Sequence, residues 1–68
     1  GTDGLDIYRR LASEGGAYLK VGGHCIVEVG AGQARQVAEL FTEQDFELVR
    51  IINDYADTER HVLLRKKG

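Results

Sequence analysis

The residues best placed to do chemistry run from Glu28 to Gln33, in the stretch Glu-Val-Gly-Ala-Gly-Gln. An acid sits within a hydrophobic run that starts at Cys25, and Gly30-Ala31-Gly32 and a helix-like pattern follow. Two glycines between a strand and a helix let main-chain amides approach an anionic cofactor. The full turn reads G-x-G-x-x-G, and its third small residue lets the helix pack close to the strand. Here that position holds Arg35, which cannot do so. A cofactor loop of the form E/D-x-G-x-G-x-G fails as well, because Gln33-Ala34 breaks its spacing. The segment is therefore read as a strand-to-helix turn. It lies at the carboxyl end of a strand, where α/β folds place ligands, and it borders a site without cradling a phosphate.

Other candidates carry less. Glu28 lies in an apolar strand, where a buried acid needs partners. It either points into a cleft or lies at a half-exposed edge. His24 begins one hydrophobic run and His61 another, with no ligand spacing between them. Asp54, Asp57 and Glu59 make an acidic turn of the kind that shapes a hairpin. Cys25, the single cysteine, has no partner base in view and is expected to be a small buried core thiol. No Ser/His/Asp set or carboxylate pair is placed well enough to nominate, and no catalytic, cofactor-binding or metal-binding residue is assigned.

The elements that position these groups are limited by size. The 68 residues make one small domain, 1–68, which buries roughly 60% of its unfolded surface and is marginally stable. A single cysteine excludes an internal disulfide framework. Eleven acids against nine bases give a net charge of -2, which argues against a dedicated nucleic-acid partner. The run Arg65 to Lys67 is expected to be a solvated tail. The longest apolar run is too short to span a membrane, and no signal-peptide pattern opens the chain, so a cytoplasmic, reduced setting is expected. Gly1-Thr2 is compatible with a cloning remnant. Hydrophobic content of 43% is normal for a globular chain and too high for disorder.

Periodicity supplies the elements. Thr2 and Asp3 are good helix caps, and Leu5, Tyr8, Leu11 and Ala12 follow at helical spacing. Gly15-Gly16 ends that helix, predicted over about residues 4 to 14. Ala17 to Gly23 is a short linker or turn. His24 to Val29 is nearly continuous in apolar residues, which predicts a strand covered on both faces. Ala34, Val37, Ala38 and Phe41 form one helical stripe, with Arg35 and Glu39 as an i, i+4 pair on the polar face. Phe46 onward is a second strand, an acidic turn breaks it, and a short strand from His61 closes a hairpin. The fold class is α/β, in the order helix-strand-helix-strand-strand. A parallel crossover followed by an antiparallel hairpin predicts a mixed three-stranded sheet.

Three segments then resemble one family. They are "DGLDIYRRL", "YLKVGGHCIVEVGAGQARQVAELF" and "DYADTERHVLLRKK". Together they are similar to the C-terminal third of the release-factor glutamine methyltransferases (HemK/PrmC type), which are class I S-adenosylmethionine-dependent enzymes with a Rossmann-like sheet. "LKVGG" resembles the "LKPGG" turn before strand five of many class I methyltransferases, with Val21 in place of Pro. Ala56 or Asp57 stands where many members have Gly. The family's cofactor loop and its Asn-Pro-Pro-Tyr motif would lie upstream, and a chain without proline contains no such motif.

The resemblance implies that His24 to Val29 is strand five and that the last strand inserts antiparallel between strands five and six. It implies a C-terminal fragment of the catalytic domain, inactive alone and expected to bind no S-adenosylmethionine, although the parent enzyme uses that cofactor. Glu28, Gly30 and Gln33 would line the rim of the substrate cleft. The implied partners are the remainder of the domain and, for the parent, a release factor. Strand five without a neighbour predicts self-association along its edge. The competing reading is a small non-enzymatic α/β module for dimerisation or peptide binding. A nucleotide-binding protein is a third reading, resting on Gly30-Ala31-Gly32 alone.

Overall fold

The computed structural model describes residues 4–68. The elements are α1 (Asp6–Gly15), β1 (His24–Glu28), α2 (Ala34–Thr42), β2 (Phe46–Asn53) and β3 (Glu59–Lys66). This is the predicted order. Thr2 and Asp3, read as caps, lie outside the described residues. Leu5 occupies the N-cap position of α1 without a side-chain cap. The helix stops at Gly15, with Gly16 still in the right-handed region at φ -61°.

The sheet has the order β1-β3-β2, and β3 runs antiparallel to both neighbours. The expected mixed sheet is therefore corrected to a wholly antiparallel ladder. β1 and β2 share a direction, since each opposes β3, but they do not pair. The hairpin folds β3 into the position between them, so the connection through α2 skips one strand. This is the strand insertion that the resemblance implied.

The short dimension of the molecule is 15 Å, the thickness of one sheet plus one helix layer. α2 packs over β2 and β3, and α1 packs beside α2. The predicted stripe of Ala34, Val37, Ala38 and Phe41 is buried against Val62, Leu64 and Phe46. The Phe41 and Phe46 rings meet edge to face, 5.4 Å between centroids and 79° between planes. Burying one such side chain contributes about 1.5–3 kcal/mol. α1 contributes Leu5 and Ala12 to this core. Leu11, expected on the same stripe, stays 46% exposed, and neighbouring Ile7 64%.

β1 departs from expectation. Its residues alternate between exposed and half-buried. Cys25 and Val27 pack against the core, so Cys25 is a half-buried thiol rather than a fully buried one. Ile26 is 58% exposed. A strand covered on both faces needs an element on each side, and among the described residues the face bearing His24, Ile26 and Glu28 has none.

Two smaller expectations also change. The run Arg65 to Lys67 is not a free tail. Arg65 pairs with Glu47, and Lys66 Nζ lies 3.0 Å from Asp45 with its side chain only 13% exposed. Both residues belong to β3, which begins at Glu59, before the expected start at His61, and ends at Lys66. Arg35 turns from Glu39 to Glu59, at 3.6 Å. The acidic turn does shape the hairpin: Asp54 Oδ1 accepts the amides of Ala56 and Thr58 at 2.8 and 3.0 Å. Asn53 Nδ2 donates to Asp57 Oδ1 at 2.8 Å, and Asp57 has φ 64°. Asp tolerates that left-handed conformation better than most residues.

Candidate functional site

The end of β1, the loop after it and the start of α2 hold all three residues assigned to the rim. The loop is held from both sides. Val29 is buried, and its amide donates to the Arg60 carbonyl at 2.8 Å. Gly30 and Gln33 close a small ring. The Gly30 amide donates to Gln33 Oε1 at 3.2 Å, and the Gln33 amide donates to the Gly30 carbonyl at 3.1 Å. A Cβ on Gly30 would lie 2.9 Å from Gln33 Oε1, so this glycine makes room for a side chain. Gly32 serves another purpose: its φ of +81° is a conformation glycine adopts without cost.

Glu28 lies at the exposed edge, not in a closed cleft. Its side chain is 81% exposed, and its Oε2 lies 3.9 Å from His61 Nε2. That distance is an electrostatic neighbour, too long for a hydrogen bond. The two residues are direct cross-strand partners. The Glu28 carbonyl accepts the Tyr8 hydroxyl at 3.0 Å. The structure thus gathers Glu28, Gly30 and Gln33, and adds His61 and Tyr8 to them. His24 sits at the other end of β1. Sequence reasoning missed Tyr8 as a site residue because its spacing placed it in the core stripe. It missed His61 because the link to Glu28 requires knowing that β3 pairs with β1.

Between α1 and β1 lies an open groove of about 540 Å³, lined by Ile7, Leu11, Tyr18 and Ile26 among others. Glu28 is the charged residue on its wall. Cys25 also lines it, and burial pushes its thiol pKa above the usual 9.0. A raised pKa leaves less thiolate, so Cys25 is poorly suited to nucleophilic attack. Thr58 and Ala56 amides, with Arg60, hold the Asp54 carboxyl below its usual value of 3.8. That group therefore stays ionised and acts as a hairpin brace.

The turn does not fit a cofactor cradle. The Gly30 amide is already satisfied by Gln33, and Arg35 fills the third motif position while leaning toward Glu59. Among the described residues no group of His, Cys, Asp and Glu is arranged to hold a metal ion, and no helix is long and apolar enough to cross a membrane.

No protein-family model matches the chain, and no solved structure matches it significantly. Curated relatives do. A release factor glutamine methyltransferase of Fusobacterium nucleatum is 31% identical over 94% of this chain and 18% of its own length. Its counterpart in Clostridium acetobutylicum is 35% identical over the whole chain and 24% of its own length. That of Rhodospirillum rubrum is 42% identical, again over the whole chain and 21% of its own length. The chain therefore spans about a fifth of the curated relatives it matches. By sequence it belongs with the release factor glutamine methyltransferases, as a segment of that family.

Proposed function

We propose that the chain is the C-terminal, substrate-side part of a protein-glutamine N5-methyltransferase acting on peptide chain release factors in the cytoplasm. The proposed framework is the class I, Rossmann-like methyltransferase sheet, with β1 as strand five, β2 as strand six and β3 as strand seven. The observation that carries this reading is the strand order β1-β3-β2 in a chain that aligns over its whole length with such enzymes.

In the parent enzyme S-adenosylmethionine supplies the methyl group. Transfer to an amide nitrogen is mainly a matter of positioning. The cofactor loop and the Asn-Pro-Pro-Tyr motif belong to the remainder of the domain, which is the chain's proposed partner along with the release factor. This chain supplies one wall. Glu28 and Gly30 line the rim of the substrate cleft, and Gln33 shapes that rim by clamping Gly30.

On this reading the 68 residues transfer no methyl group and bind no S-adenosylmethionine alone. Calorimetric titration of the chain with S-adenosylmethionine is expected to show no binding heat. A micromolar dissociation constant would overturn the fragment reading. The second reading, a non-enzymatic dimerisation or peptide-binding module, draws on the open edge of β1. A reading frame directly upstream that encodes Asn-Pro-Pro-Tyr decides for the enzyme, and one without it for the module.

A further inference from the structure

Gln33 is held at every polar group but one. Its main-chain amide donates to the Gly30 carbonyl at 3.1 Å, and its own carbonyl accepts the Val37 amide at 2.9 Å. Its Oε1 accepts the Gly30 amide at 3.2 Å. Only the oxygen end of a carboxamide accepts an N–H, so the Nε2 end must turn away from Gly30. Nε2 meets no acceptor among the described residues, where no buried side-chain nitrogen or oxygen lacks a partner. Its two N–H groups are therefore open at the rim, and the clamp on Oε1 sets their direction.

The surroundings of this donor are bare. A Cβ on Gly32 would meet nothing within 4 Å, and one on Gly4 would lie 3.8 Å from Nε2. Glycines on either side leave room for another main chain to come close. The Glu28 carboxylate, 81% exposed at the end of β1, disfavours an anion here and leaves a neutral acceptor as the fitting one.

We propose that Gln33 is a substrate-binding residue, whose clamped carboxamide donates from Nε2 to an amide oxygen of a polypeptide substrate. On the methyltransferase reading, on which this rests, that substrate is a release-factor segment. A donor already oriented by Gly30 loses little freedom when the substrate binds. A main-chain carbonyl beside the target glutamine and the carboxamide oxygen of that glutamine offer the same chemistry.

Gln33→Glu separates the clamp from the donor. A carboxylate still accepts the Gly30 amide but offers no N–H. The test places the 68 residues in the Rhodospirillum rubrum release factor glutamine methyltransferase, in place of the matching segment. Gln33→Glu is expected to keep the thermal midpoint of this chimera and to raise KM for the release factor about threefold to tenfold, with a smaller change in kcat. Gln33→Ala loses clamp and donor together, so it should raise KM and lower the midpoint as well. Binding of a release-factor segment whose target glutamine is alanine locates the acceptor. Equal weakening of both segments by Gln33→Glu assigns a main-chain carbonyl, and weakening confined to the glutamine-bearing segment assigns the carboxamide. Three outcomes overturn the proposal while leaving the methyltransferase reading intact. They are an unchanged KM for Gln33→Glu, a rise in KM that high salt abolishes and that reports the added charge alone, and a midpoint lowered as much by Gln33→Glu as by Gln33→Ala, which places the partner of Nε2 inside the domain. A chimera of natural sequence that transfers no methyl group overturns that reading and this proposal with it.

Discussion

The Tyr8 hydroxyl of α1 donates to the main-chain carbonyl of Glu28 at 3.0 Å. This bond joins the first helix to the end of the edge strand across the mouth of an apolar groove. α1 otherwise packs beside α2 rather than on the sheet. The Tyr8 side chain thus ties α1 directly to β1. Tyr8→Phe keeps the ring and removes the bond, and should lower stability by about 0.5–1.5 kcal/mol. Urea denaturation measures this directly. An unchanged midpoint would show that the bond does not hold the two elements together.

Gly30 and Gln33 should behave as one unit. Gln33→Ala removes the acceptor of the Gly30 amide, at a cost of about 1 kcal/mol. Gly30→Ala adds a methyl group 2.9 Å from Gln33 Oε1 and displaces the same amide. The backbone imposes no further penalty, since Gly30 is not among the residues of positive φ. Because both changes break one bond, the double variant should cost less than the sum, with a coupling of about 0.5–1 kcal/mol. Additive losses in a double-mutant cycle would contradict the clamp.

Asp54 gives the hairpin a pH dependence of known sign. Its folded-state pKa is depressed, chiefly by the Thr58 amide and further by Ala56 and Arg60. A depressed carboxyl stabilises the fold above its unfolded value, near 3.8. That stabilisation is lost as the pH falls through the lower, folded value. Stability measured from pH 6 down to pH 2 should therefore fall more steeply for the natural chain than for Asp54→Ala. Parallel curves would refute the assignment.

Much of the fold was legible because it is written in local periods. The stripe of Ala34, Val37, Ala38 and Phe41 specified α2 and its buried face. The polar turn from Asp54 to Thr58 specified the hairpin. Pairing was less legible, because β1 and β3 meet across more than thirty intervening residues, and no local pattern records which edge a strand takes. The apolar run from Cys25 to Val29 suggested burial on both faces, yet its exposed Ile26 faces open space. Arg65 and Lys66 looked like tail residues because their partners, Glu47 and Asp45, lie far back in the sequence. The site was legible in part. Glu28, Gly30 and Gln33 are neighbours in sequence and in space, whereas Tyr8 and His61 reach them through tertiary structure alone.

The central claim is that this chain is an interchangeable part of a release factor glutamine methyltransferase. The most direct test replaces the matching segment of the Rhodospirillum rubrum enzyme, 42% identical over this whole chain, with these 68 residues. Methylation of a release factor by the chimera is then followed by mass spectrometry with S-adenosylmethionine present. The account predicts a folded chimera that methylates the release factor on a glutamine. A chimera that folds and binds S-adenosylmethionine but transfers no methyl group would contradict it.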